Sequence, residues 1–401
     1  MSLQRCFCLA LLLLVGSQLG FSQSTICSSS EIELAAKQVE IARASLLALP
    51  VGDGLKTDVS VEGRQAIASM KTRLADFVDS YMRCSGSDVE SELIEKDLSR
   101  LTNASVDRQS YYADDAPEES AHYGYELEFH VGDTASVPRL LSITARFQIQ
   151  CGSDTVLFIF DHEQGLWREV LLWQSDPYDS IRDAFWSFDY GVSPPDDSGN
   201  WYVVTKYINP WCSSTWSSIH YSTMRPVRGS VKPKVLFTGS DSIWWGSDDF
   251  GKLAVNRNDF DLRFHAQSID GGVHNRVWVR HFSVMGDAVH RIPPFAVSPR
   301  DFVDEWIVSS WDEATQWSLG HNVGLMEQMH RRLHAKGFMS FEYQSVRQCS
   351  DAPDHYQIEL SDQPSYYFQV MGTTDYKMKS VSLKPDPACN GEDLLDKMAT
   401  Q

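Results

Sequence analysis

Residues 141–150 read LSITARFQIQ. Leu141, Ile143, Ala145, Phe147 and Ile149 alternate with Ser142, Thr144, Arg146, Gln148 and Gln150, the period-two pattern of a strand with one face in a core. Beyond it, 156–160 (VLFIF) is apolar at every position, 161–165 supplies turn residues, and 166–173 returns, so the pair reads as a hairpin with one arm buried on both faces. Further strands are expected near 125–130, 184–190, 201–208, 217–223, 234–238, 242–245, 252–256, 260–267, 275–284 and 288–292. Short strands joined by Gly, Asp, Asn and Pro turns specify a mostly antiparallel β-rich domain over 122–297. The density of hairpins fits a propeller-like arrangement, although no clean blade repeat is found.

Upstream of this body, 105–121 carries Asp114, Asp115, Pro117, Glu118 and Glu119 with almost no aliphatic content, and reads as an acidic linker. Residues 23–104 form a helical region. Ser30 and Glu33 make a capping box, and Ile32, Ala35, Val39, Ala42, Leu46 and Leu49 recur at helical spacing until Pro50. Ile67, Met70, Leu74, Phe77 and Tyr81 repeat the spacing in a second helix, and a third is expected at about 88–101. With Gly52 and Gly54 between them the first two helices fold back antiparallel. That brings Cys27, before the first helix, to Cys84, at the end of the second.

Downstream, residues 298–401 begin with Ser298, Pro299 and Asp301, a cap, a first-turn proline and an acidic third position, leading into a helix over about 299–309. A second helix is expected at 323–335, and strands follow at 338–346, 355–360, 365–371 and 375–383. These helices and strands are expected to pack on the β-rich body. The fold class is therefore α+β: an N-terminal antiparallel helical hairpin, a mostly antiparallel β-rich body, and a C-terminal helix pair with strands.

Residues 1–22 have the order of a cleavable secretory signal peptide: Arg5, an apolar run from Leu9 to Val15, then Gly16, Ser17, Gly20 and Ser22. The run is shorter than the roughly 20 residues of a membrane-spanning helix, and no later stretch approaches that length. The chain is thus expected to be exported, periplasmic or secreted, with no membrane span. Export also gives meaning to Cys27, Cys84, Cys151, Cys212, Cys349 and Cys389, an even set that reads as disulfides. Cys349 and Cys389 bracket the last strands, and Cys151 would join Cys212 by elimination. Asn103, with Ala104 and Ser105, is a glycosylation sequon if the host modifies exported chains.

The chain has 54 Asp and Glu against 35 Lys and Arg, a net charge of -19. Such a surface repels phosphate backbones, which excludes nucleic acid as a partner. No P-loop, dinucleotide glycine fingerprint, nucleophile elbow or HExxH helix occurs, and no cofactor is expected.

Four groups of residues carry candidate chemistry. On the strand at 260–267, Asp261, Arg263, His265 and Gln267 share one face, where Asp261 would orient His265 as a general base and Arg263 would bind. Trp244 and Trp245, followed by Asp248 and Asp249, combine aromatic faces with carboxylates, the parts used by glycan-binding proteins and glycosidases. His330 and His334, with Glu327 one turn earlier, share a helix face. However, Arg331 stands where a metallopeptidase helix has glutamate, and Met326, Met329 and Leu333 form the core stripe, so the histidines fall on the flank and no metal is expected. Asp196, Asp197 and Asn200 form an oxygen-rich loop without calcium-loop spacing, and read as a solvated turn. The leading expectation is a non-catalytic exported protein that binds an extracytoplasmic ligand or partner through its β-rich face. The alternative is a hydrolase acting on an extracellular polymer such as a glycan.

Overall fold

The apolar stripes of the first two helices meet: Val39, Ala42 and Leu46 share a core with Met70, Leu74 and Phe77, all buried. The computed structural model describes residues 28–50, 58–86, 89–104, 123–134, 137, 139–150, 152–209, 216–244, 251–271, 276–320, 322–338 and 340–398. Helix α1 spans Ser29–Leu47, α2 Val61–Cys84 and α3 Ser91–Leu101. The expected capping box at Ser30 and Glu33 does not form. The helix begins two residues earlier, with Ser28 as an N-cap that makes no side-chain cap hydrogen bond. Ser60 does cap α2, its hydroxyl accepting from the Gly63 amide at 3.0 Å. Arg43, buried in α1, donates to the carbonyls of Gly124 at 2.7 Å and Tyr125 at 2.5 Å, fixing where the chain enters the first sheet.

Four antiparallel sheets of four strands follow. Sheet A comprises β1 (Leu127–Asp133), β2 (Leu140–Ile149), β3 (Gly152–Glu163) and β4 (Leu166–Gln174). Sheet B comprises β5 (Ser187–Val192), β6 (Val203–Ile208), β7 (Trp216–Val227) and β8 (Ser230–Trp244). Sheet C comprises β9 (Lys252–Val255), β10 (Asp259–Ala266), β11 (Arg276–Met285) and β12 (Ala288–Arg291). Helices α4 (Pro299–Val308), α5 (Trp311–Ala314) and α6 (Val323–His334) intervene before sheet D, with β13 (Glu342–Gln348), β14 (His355–Ser361), β15 (Tyr366–Met371) and β16 (Lys377–Ser382), and then α7 (Leu395–Met398). In every sheet the strands lie in chain order, so each is a meander, the form also taken by a propeller blade.

Hydrophobic cores join the helices to sheet A, sheet A to sheet B, sheet B to sheet C, and α4 to sheet D. Leu141, Ile143, Ala145, Phe147 and Ile149 face the helices together with Val156, Phe158 and Phe160. Leu157 and Ile159, on the other face of β3, pack against Trp201 and Val203 of the sheet B region. The all-apolar reading of 156–160 is thus explained by burial between the helices and sheet B. Tyr202, Val204 and Ile219 then meet Phe260, Leu262 and Phe264 between sheets B and C. Phe302, Val303 and Trp306 of α4 lie over Ile358, Phe368 and Val370 of sheet D.

Local signals account for several boundaries. Gln164 and Gly165 turn β3 into β4 with both φ values positive, 55° and 81°, as a tight hairpin turn requires. The Ser298 hydroxyl accepts from the Asp301 amide at 3.1 Å, starting α4 as its sequence predicts. One expectation is corrected: the separate strands expected at 234–238 and 242–245 are, as far as the described residues run, a single long strand, β8, which ends at Trp244. The Gly239–Asp241 stretch is not a turn. Gly239 stays in the ladder opposite Tyr221, and a Cβ there would lie 2.5 Å from the Tyr221 ring.

Cys349, just past β13, is bonded to Cys389, closing sheet D. Cys84 is also disulfide-bonded. Its expected partner Cys27 lies outside the described residues, as do Cys151, Cys212, the 1–22 leader and the Gly52–Gly54 linker. No helix among the described residues is long and apolar enough to cross a membrane.

Candidate functional site

The sequence of β11 places Arg276, Trp278, Arg280, Phe282 and Val284 on one face, and all five are buried. Two arginines inside a sheet protein require partners, because an unpaired buried charge costs several kcal/mol. Helix α4 supplies them. Glu305 accepts from Arg280 at 2.9 Å and Arg291 at 2.7 Å on one oxygen, and from Arg276 at 3.0 Å on the other. Asp304, one residue earlier, lies 2.8 Å from Arg276 and accepts from Ser268 at 2.8 Å and from the Tyr343 hydroxyl. Asp241 of β8 completes the network. It receives Arg280 through two bonds, at 2.6 and 2.9 Å, and the Tyr221 hydroxyl at 3.0 Å. The bare Gly239 lets the Tyr221 ring lie close enough to reach Asp241.

This network floors a cleft of about 740 Å³ where sheets B and C meet the α4–α5 turn. Phe237, Phe282, Val289 and Phe338 give it apolar walls, and Ser240, Ser242, Gln267 and Gln316 give it neutral polar groups. The Trp278 indole is flanked by the guanidinium groups of Arg276 at 4.1 Å and Arg280 at 4.6 Å, so its ring supports the cations.

The electrostatics move the floor away from neutral-pH proton transfer. Burial pushes the Glu305 carboxyl up, but Arg280, Arg291 and Arg276 outweigh it and hold the group well below the usual carboxylate range. Burial and the Asp241 carboxylate push the Tyr221 hydroxyl well above a free tyrosine. Burial disfavours the Arg280 cation, yet Glu305 and Asp241 reverse that and leave it more firmly protonated. Asp304 moves the other way: its burial exceeds the help from Arg276, Tyr343 and Ser268, and its pKa is raised.

Of the residues singled out on the 260–267 strand, Gln267 lines this cleft and Asp261, Arg263 and His265 do not. Asp261, Arg263 and His265 share a face, as the alternation predicts, and Phe260, Leu262, Phe264 and Ala266 are buried on the other. Register pairs Asp261 with His281, Arg263 with Val279 and His265 with Val277, whereas Leu262, Phe264 and Ala266 pair with Arg280, Trp278 and Arg276. The candidate face is therefore turned away from the cleft. Asp261 is engaged by Arg263, Nε to Oδ1 at 2.9 Å. The Trp244 backbone ends β8, two residues beyond Ser242; its side chain, Trp245, Asp248 and Asp249 lie outside the described residues.

His330 is a correction: it lies in the core, only 2 % exposed, with its ring 4.8 Å from Trp306 and 5.3 Å from Trp311. Burial and the neighbouring His334 lower its pKa. No group of three or more His, Cys, Asp or Glu suited to a metal occurs among the described residues. Asp196 accepts from the amides of Ser198 at 2.9 Å and Asn200 at 2.8 Å, a self-contained turn. The Asn103 side-chain amide donates to Glu40.

A second cleft of about 530 Å³ lies beside the β3–β4 and β7–β8 turns, with Asp161 and Glu169 among its lining residues. Burial and Asp79 push the Glu169 carboxyl up to about 8. The two carboxyls do not form an acid–base pair. Glu169 stands opposite Phe160, which faces the helices, and Asp161 stands opposite Arg168, so they leave the sheet on opposite faces.

Sequence reasoning passed over Arg276, Arg280, Arg291 and Glu305. The available signal was the alternation Arg276, Trp278, Arg280, Phe282 beside Val277 and Val279, a strand apolar on one face and aromatic-cationic on the other. No family model matches the chain, and no curated protein matches it. Among solved structures, one from a structural and mechanistic study of two prolyl endopeptidases is similar at 10% identity, with a TM-score of 0.15. The match covers 66% of this chain and 36% of that one, and a TM-score so low establishes no shared fold.

Proposed function

We propose that the protein is an exported, non-catalytic binding protein whose ligand occupies the cleft between sheets B and C and the α4–α5 turn. One observation carries this reading: the buried charges of the cleft floor are spent on one another. Glu305 holds three arginines, and Arg280 holds Glu305 and Asp241 together. A general base or acid needs a pKa near the working pH and a free proton position. Glu305, Tyr221 and Arg280 have moved away from that range, and their hydrogen bonds are directed at the protein. Such a floor gives a rigid, preorganised wall, which suits recognition. Export is supported by the 1–22 leader pattern and by a disulfide at Cys349 and Cys389.

The test is to present the full chain to glycan and peptide arrays and to examine any retained compound by mass spectrometry. Retention of an intact compound, weakened several-fold by Phe338→Ala at the cleft wall, is the expected result. Turnover of the retained compound would establish the hydrolase instead, and silence on both arrays would remove the binding reading.

A further inference from the structure

The cleft is bordered by the free edges of two sheets. Strand β8 is the terminal strand of sheet B and β12 that of sheet C. Among the described residues, no ladder or isolated bridge covers the outer edge of either. Side chains of successive strand residues point to opposite faces. Yet Ser240, Asp241 and Ser242 all line the cleft, as do Val289, His290 and Arg291. Three consecutive residues border one cavity when the strand presents its backbone edge to it. The two edges are pinned at one corner, where Lys234, near the start of β8, meets Asp287, just before β12, at 2.7 Å. Both strands run away from that corner and enclose the cleft farther along.

An unpaired edge is a row of N–H and C=O groups ready to accept another strand, and natural proteins generally cover or blunt it. Here the charged side chains of the floor are matched with one another, and beside scattered polar side chains such as Ser240, Ser242 and Gln267 the regular row of donors and acceptors left to a ligand is that of the backbone edges. The geometry points to an extended peptide segment of a partner protein, added as a strand to the β8 or β12 edge. Alternate side chains of that segment would meet Phe237, Val289 and Phe338, which are apolar. Glu313 at the rim is 43% exposed and reaches Arg291 only at 3.9 Å, so a basic residue at one end of the segment would meet a carboxylate that is loosely paired. This inference rests on the cleft-binding reading and narrows it to one ligand class. Main-chain pairing, rather than a specific side chain, would supply most of the affinity, so several partner sequences sharing the alternating pattern would bind.

The test uses the full chain and synthetic decapeptides that alternate Val or Thr with polar residues and carry a terminal Lys. Each is paired with a version N-methylated at alternate residues, and neutral tetrasaccharides of glucan, chitin and xylan serve as comparison. The expected result is peptide binding that N-methylation weakens at least tenfold, with backbone amides in 240–242 or 289–291 exchanging at least tenfold more slowly when the peptide is bound. Phe338→Ala, at an exposed position, should weaken the peptide several-fold without altering the circular dichroism spectrum. Peptide binding without protection at either edge would overturn strand addition while leaving the cleft as a binding site. Binding of a tetrasaccharide in place of every peptide would overturn the peptide class in the same way. Failure of all probes would overturn both readings.

Discussion

Arg280 of β11 and Glu305 of α4 meet at 2.9 Å with both side chains buried, and this pair joins sheet C to the helices that carry sheet D. Because Arg276 and Arg291 converge on the same carboxylate, removing it takes a partner from three cations: Arg276 keeps Asp304 and Arg280 keeps Asp241, while Arg291 keeps only Glu313 at 3.9 Å. Glu305→Ala is expected to cost about 3–5 kcal/mol, the penalty for breaking a buried ion pair from one side. Chemical denaturation of the two proteins measures it. A loss below about 1 kcal/mol would mean that the network does not hold the layers together.

Gly239 is required by close approach. A methyl group there would meet the Tyr221 ring at 2.5 Å, and the ring cannot retreat without losing its bond to Asp241. Gly239→Ala should destabilise the protein by about 1–3 kcal/mol, the usual cost of overpacking, and Tyr221→Phe combined with it, which removes the hydroxyl and frees the ring from Asp241, should relieve part of that clash. Urea titrations of the single and double variants provide the comparison.

Glu169 gives stability a pH dependence whose sign follows from its environment. Burial and Asp79 raise its carboxyl from 4.5 to about 8, so the folded state favours the protonated form. Its contribution is complete below about pH 4.5 and is lost as pH rises through 8. Glu169→Gln should flatten the stability profile over that window and make the protein more stable at pH 9 by on the order of 2 kcal/mol. Thermal unfolding followed from pH 5 to 9 tests this, and parallel profiles for the two proteins would count against a buried, protonated Glu169.

The Cys349–Cys389 bond closes a segment with a sequence separation of 40 that contains most of sheet D. Its loss in a Cys349→Ser, Cys389→Ser variant should cost about 2–4 kcal/mol, chiefly by freeing the unfolded chain. Differential scanning calorimetry of that variant, or of the reduced protein, should show a lower transition temperature.

The sequence made the secondary structure legible wherever burial is one-sided or complete. The alternation of 141–150 and the apolar run at 156–160 identified β2 and β3, and the Ser298, Pro299, Asp301 signal placed the start of α4. It misread Gly239 and its polar neighbours as a turn, because the need for a glycine came from the Tyr221 ring, 18 positions away in the chain and adjacent only through the ladder. The candidate site was legible only at its margins. His265 and Trp244 each stand two residues from Gln267 and Ser242, which line the cleft. The floor itself escaped because Arg280, Arg291, Asp241 and Glu305 come from four separate elements, and nothing in their spacing shows that these two cations and two carboxylates will pair. His330 escaped for the opposite reason: a polar residue on a helix reads as a flank, and only the packing of Trp306 and Trp311 shows it to be buried.

The account turns on whether the cleft receives an extended ligand and leaves it unaltered. The most direct measurement is hydrogen–deuterium exchange on the full chain with the best-binding alternating decapeptide, followed by mass spectrometry of the recovered peptide. The account predicts slowed exchange confined to the cleft-facing edges at 240–242 or 289–291, with the peptide returned intact. A cleaved peptide, or protection that leaves both edges unchanged, would contradict it.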